Sequence, residues 1–158
     1  MDKYLIKTNA KANSTLEALG DSAFETQPII LGVLGSSTSA KWTKETIQES
    51  LFKPILDELK ETPNTILLPS EGTTSIFLQV IAQKENIKTT VFEADWKTLK
   101  QKARSLRDAR IIKDCTHLLI FLGTKSDFYE KVAIREAKKG KIVFTVDSKT
   151  QEIVQWEL

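Results

Sequence analysis

The chain is predicted to be an α/β protein of the doubly wound, Rossmann-like kind, with a mostly parallel five-stranded sheet and an antiparallel C-terminal edge strand. Two observations predict it. From residue 29 onward, short apolar runs of strand length alternate with helix-length segments. Several of those runs, "IILGVLG", "NTILLP" and "HLLIFLG", are continuous in apolar character rather than alternating, as in strands buried on both faces. Parallel neighbours then require crossover connections, which are right-handed in such folds.

Residues 1–27 are polar and mixed and read as an N-terminal extension, in which Ser14, Glu17 and Gly20 mark a short capped helix. The domain proper spans 28–158. The first strand, 29–35, ends in Gly35. The helix that follows contains Pro54, which removes a donor and predicts a kink or break. "NTILLP" (64–69) is the second strand and "TTSIFLQVIAQKEN" the second helix. "KTTVFEA" is the third strand, "WKTLKQKARSLRDARIIK" the third helix and "HLLIFLG" the fourth strand. "DFYEKVAIREAKKG" is a helix stopped by Gly140, "KIVFTV" the fifth strand and "QEIVQWEL" the antiparallel edge.

With 158 residues, one domain with a substantial core is expected. A net charge of +2 carries no strong nucleic-acid signal. No run is long and apolar enough for a signal peptide or a membrane span. The single cysteine, Cys115, excludes an intramolecular disulfide and suits a reducing cytoplasm. Cys115 and the single histidine, His117, lack companions for a metal site, so both read as structural and no metal is expected.

In an open parallel sheet, ligands bind beyond the carboxyl ends of the strands, where strand order reverses. For the order 3-2-1-4-5, that point lies between strands one and four. The loops beside it are 35–41, 69–75 and 123–127, and all are rich in Gly, Ser and Thr. They offer Gly35, Ser36, Ser37, Ser70, Gly72, Thr73, Gly123 and Ser126 as candidates to hold a phosphate or ribose on backbone N–H groups and hydroxyls. The same residues also serve as ordinary caps and turns. Neither a P-loop nor G-x-G-x-x-G is present, which argues against an ordinary dinucleotide dehydrogenase.

After Asp95, the segment 94–112 carries six basic residues against one acid. On a continuous helix Lys100, Arg104 and Arg107 share one side, and Leu99, Ala103 and Leu106 form an apolar stripe toward the sheet. Two readings stand side by side: a solvated basic face with Arg107 paired to a nearby acid, or Arg107 as a fork for phosphate or carboxylate, aided by Arg104 and Lys100. Asp95 is placed as a helix N-cap and, secondarily, a ribose ligand. Trp96 serves either to stack on a base or to pack the helix start. Glu71 is a weak catalytic candidate, because no partner acid or base accompanies it in sequence.

Taken in order, these motifs resemble the SLOG superfamily of Rossmann-like nucleotide-binding domains, in particular its YspA/YpsA-related branch. The resemblance covers 29 to about 146. It rests on Gly35-Ser36, on Ala94-Asp95-Trp96, on Ala103, Arg107 and Asp108 of an Ala-Gly-x-x-Arg-Asn helix, and on Phe121, Gly123 and Ser126. The second loop departs from the family's Gly-Gly-Ala-x-Gly-x-Asp, with Ser75 where Asp is usual. Lys100 and Arg104 stand where glycine is usual, and Phe128-Tyr129 replace Gly-Thr. In the related cytokinin-activating enzymes a glutamate aids cleavage of an N-glycosidic bond. Phe77 occupies its place here, so the pattern favours binding over catalysis.

The resemblance implies a protein that binds a nucleotide or an NAD- or ADP-ribose-like molecule, as a sensor or accessory factor; the sequence leaves a homo-oligomer open. An assembly protein with a degenerate site is the alternative, and a nucleotide N-glycoside hydrolase working through Glu71 is the third reading.

Overall fold

A computed structural model describes residues 7–8, 28–35, 43–122, 128–147 and 150–156. Seven strands form one sheet: β1 (Lys7–Thr8), β2 (Ile30–Leu34), β3 (Thr65–Pro69), β4 (Lys88–Phe92), β5 (His117–Leu122), β6 (Ile142–Asp147) and β7 (Ile153–Trp156). Their order is β1-β7-β6-β5-β2-β3-β4. The five strands β4-β3-β2-β5-β6 are parallel, in the predicted order, and β7 runs antiparallel to β6. The edge position outside β7 is taken by β1, which pairs parallel to it, so two residues of the N-terminal extension join the sheet.

The helices lie on both faces. Against one face packs a long helical stretch made of α1 (Lys44–Ile47), a π-helical turn (Gln48–Phe52) and α2 (Lys53–Leu59), together with α3 (Thr73–Lys84). The core on this face joins Leu31 and Val33 of β2 and Leu119 of β5 to Ile47, Leu51, Phe52 and Ile55. On the other face lie α5 (Ala103–Asp114) and α6 (Phe128–Lys138), whose Ile111, Val132 and Ala133 meet Leu34, Leu118 and Ile120. Consecutive residues of each central strand serve opposite faces, which is why their runs are apolar without a break.

Pro54 perturbs its helix as expected, and the form is specific. The Lys53 N–H donates five residues back, to the Gln48 carbonyl, instead of four. A proline ring clashes with the carbonyl four residues before it, and a widened turn moves that carbonyl aside while the helix continues.

The strand ends are pinned by side chains. Asn64 Oδ1 accepts from the Ile29 N–H at 2.9 Å, and Thr116 Oγ1 accepts from the Ile30 N–H at 2.9 Å. Gly32 lets α5 approach β2: a Cβ there would lie 2.8 Å from Ile111 Cγ2 and 3.0 Å from Cys115 Cβ. Cys115 is buried beneath this contact, and burial pushes its thiol up to about 11. Burial also lowers His117 below its ordinary value. Among the described residues no three His, Cys, Asp or Glu side chains group as a metal site. Nor is any described helix long and apolar enough to cross a membrane.

At the amino edge of the sheet, Glu136 of α6 is 1% exposed and ringed by cations. Arg135 Nε donates to Glu136 Oε2 at 2.9 Å, Lys139 Nζ lies 3.3 Å from the same oxygen, and Lys141 Nζ donates to Oε1 at 3.1 Å. Burial alone would raise this carboxyl. The hydrogen bonds from Arg135 and Lys141, with the charges beside them, overcome it and hold Glu136 below its ordinary value.

Candidate functional site

The strand order reverses between β2 and β5, whose following helices lie on opposite faces. There the backbone is tight. Gly35, just past β2, has φ +73°, and a Cβ on it would sit 2.3 Å from the Phe121 carbonyl oxygen of β5 and 3.4 Å from Tyr129 Cδ2. Only glycine fits so close an approach with that backbone angle.

Beside Gly35 a charged network joins three segments. Arg107 of α5 is 4% exposed. Its Nη1 donates to Glu71 Oε1 at 2.6 Å, and its Nε donates to Asp108 Oδ1 at 2.8 Å. The Tyr129 hydroxyl, on the first turn of α6, donates to Asp108 Oδ2 at 2.8 Å. Burial alone would lower the guanidinium, but the hydrogen bonds it donates to Glu71 and Asp108, with their charges, outweigh it and hold Arg107 above its ordinary value. Burial, then the Asp108 carboxylate, push the Tyr129 hydroxyl far above its usual range, and the Arg104 and Arg107 charges draw it partly back.

The network overturns four expectations. Arg107 is paired to nearby acids, as one reading expects, but it is buried rather than solvated, and it is not an unoccupied fork. Glu71 does not stand alone: its partner comes from a helix 36 residues on, out of reach of local reading. The apolar stripe of Leu99, Ala103 and Leu106 does not face the sheet, for Leu99 and Leu106 are exposed and Ala103, Arg107, Asp108 and Ile111 point inward. Charges turned inward are tolerable here because each has a partner. Finally, Lys100, Arg104 and Arg107 do not share one helix, since the chain breaks between them.

That break separates α4 (Trp96–Leu99) and a 3-10 turn (Lys100–Lys102) from α5. Lys100 sits at φ +51° and ψ −120°, a conformation that L-residues avoid at a cost of order 1–3 kcal/mol. The backbone there has the geometry that glycine adopts most readily. Asp95 caps α4, its Oδ1 accepting from the Thr98 N–H at 3.2 Å, as the N-cap reading expects. Trp96 is 46% exposed. The Arg104 guanidinium lies over its ring, 5.8 Å from the centroid.

The basic helix is thereby explained. Arg104, Arg107 and Arg110 follow at intervals of three, and each has a different partner: the Trp96 ring, the two carboxylates, and the Phe92 ring at 5.0 Å.

Of the remaining candidates, Ser70 is exposed, with its N–H bonded to the Phe92 carbonyl at 3.0 Å. Gly72, at φ +100°, precedes α3, and Thr73 opens that helix at the surface. Ser36, Ser37, Gly123 and Ser126, and the Ser14–Gly20 helix, lie outside the described residues. Phe77 packs against the core.

One residue was missed: the sequence reads Tyr129 as an obstruction, although a hydroxyl one step into the helix after the fourth-strand loop was its signal. Arg104, expected to aid Arg107, lies instead over the Trp96 ring. A separate groove of about 370 Å³ lies along the outer face of α3, lined by Ile76, Val80, Ile87 and Thr89, away from this edge.

The geometry is that of a doubly wound α/β sheet carrying, at its reversal point, a Glu-Arg-Asp-Tyr network in which Arg107 and Asp108 are buried. No protein-family model, curated protein or solved structure matches the chain.

Proposed function

We propose that the chain binds a nucleotide or a nucleotide-derived, NAD- or ADP-ribose-like molecule at the carboxyl edge of its sheet, acting as a sensor or accessory protein rather than as an enzyme. One observation carries this reading. The Glu71–Arg107–Asp108–Tyr129 network costs desolvation to build, yet it sits at the strand reversal, where such folds bind ligands. Carboxylates at that position are suited to ribose hydroxyls, and the hydroxyl-rich loops beside them to phosphate. Catalysis through Glu71 is disfavoured, because its carboxylate is committed to a charge-assisted hydrogen bond with Arg107. The likeness to the SLOG superfamily points the same way, and the lone cysteine suits a cytoplasmic setting.

Native mass spectrometry of the purified chain, followed by thermal melts with ADP, NAD and ADP-ribose, tests the reading. A ligand at 100 times its Kd is expected to stabilise the fold by about 2.7 kcal/mol. No shift with any of the three, and no bound nucleotide in the native spectrum, would remove it.

A second reading has its own observation. Ile76, Val80 and Val91 are exposed apolar side chains on α3 and the edge strand β4. An assembly protein that kept the fold and lost the ligand would use such a surface. A tight homo-oligomer by sedimentation, with no ligand response, would favour it.

A further inference from the structure

We infer that Arg104, not Arg107, is the residue that grips the ligand's anionic group, a phosphate or diphosphate, and that Trp96 is the residue that positions it. This rests on the binding reading above and names the part of the site that recognises charge.

Arg107 is already engaged on Nε and Nη1 by two carboxylates at 2.8 and 2.6 Å. An incoming phosphate would have to displace Glu71 or be repelled by it and by Asp108. Formally the two acids outnumber the one base, so the buried network does not attract an anion. Arg104 lies on the same helix, one turn earlier, and is exposed. Among the described residues no carboxylate is within ion-pair distance of it, and its guanidinium lies over the Trp96 ring. It stands one helical turn from Arg107, whose partner Asp108 holds the Tyr129 hydroxyl.

The chain geometry brings the pair together. On an unbroken helix, residues 96 and 104 would be separated by about 12 Å along the axis. Here the guanidinium lies 5.8 Å from the ring centroid, because the chain turns at Lys100 through a left-handed backbone angle of φ +51°. The turn at this strained lysine thus lets an indole support an arginine. An arginine resting on an aromatic face keeps its planar fork pre-organised, and loses less freedom when it takes a phosphate. Trp96 leaves much of its surface in solvent beside that fork, where the rest of a nucleotide would lie.

Isothermal titration of the full-length chain with ADP and, separately, with inorganic pyrophosphate tests the assignment. Arg104→Ala is expected to weaken both by about tenfold or more, as loss of a charge-assisted contact does, while its urea midpoint stays at the wild-type value. Arg104→Lys restores part of the affinity at most, since a point charge replaces the fork. Trp96→Ala weakens both ligands with Arg104 still present, and Trp96→Phe, which keeps a ring, recovers most of the loss.

If wild type binds ADP and Arg104→Ala binds it equally well, the inference is wrong and the binding reading stands. Pyrophosphate bound through Arg104, with ADP no better than pyrophosphate, supports Arg104 and counts against a nucleotide as the ligand. Should wild type bind neither, both are overturned.

Discussion

The described residues hold two charge clusters around a buried side chain, one at each edge of the sheet, and they are built in opposite ways. At the amino edge a single acid, Glu136, is enclosed by Arg135, Lys139 and Lys141, the first two of which are more than half exposed. Its cations come from its own helix and the turn after it, within five residues. At the carboxyl edge a single base, Arg107, is the enclosed member. One of its acids, Glu71, comes from a distant loop and is 37% exposed, and the other, Asp108, is tied to Tyr129 of a third segment. The amino-edge cluster is local and closes a helix end. The carboxyl-edge cluster ties three segments at the reversal point and leaves its outer acid partly in water. The first has the form of a fastening and the second that of a site.

Substitutions can break or sharpen this contrast. The largest effect is expected at Arg107. Arg107→Ala leaves Asp108 buried without its base, and removal of one partner of a buried pair costs about 3–5 kcal/mol. Urea denaturation should show this, and a loss under 1 kcal/mol would mean that the network is not what holds α5 to the β3 loop. Next is Glu136→Gln, expected to cost roughly 1–3 kcal/mol, because its cations can turn to solvent. Its pH dependence separates it from the other cluster. The folded carboxyl titrates below the ordinary 4.5, so its stabilisation is complete above that pH and fades as pH falls through the folded value. The gap between wild type and Glu136→Gln should therefore narrow on acidification below 4.5, and a constant gap would contradict the assignment.

The smallest effect has the opposite sign. Lys100→Gly relieves the left-handed backbone, at some entropic cost, and should stabilise by about 1 kcal/mol in thermal melts. A destabilised variant would show that the lysine side chain contributes more than its backbone costs.

The sheet was legible from the sequence because its signals are local. Continuous apolar runs such as 29–35 and 117–122 mark doubly buried strands, and the helices between them fix the parallel order. The N-cap at Asp95 and the disturbance at Pro54 were legible for the same reason. The helix carrying Arg107 was misread because periodicity assigns charge to the outside. Its inward face is Ala103, Arg107, Asp108 and Ile111, and two of these become tolerable inside only with partners from Glu71 and Tyr129. Such pairs are long-range facts. The break at Lys100 was equally hidden, since a lysine gives no sign of a left-handed angle. Arg104's place against Trp96 follows from that break and was hidden with it.

The strand β1 gives the fold a late step. Lys7 pairs with Val154 and Thr8 with Gln155, so this ladder joins the start of the chain to its last described strand. No other pairing in the sheet spans so much sequence, and closing so long a loop for two residues of ladder gives little in return. The rest of the sheet can therefore assemble before this edge is sealed, and the seal should be the first part to open. Amide exchange is expected to start at that outer edge and reach β2 and β5 last, so that the two ends of the chain report on fraying while the reversal point reports on global unfolding.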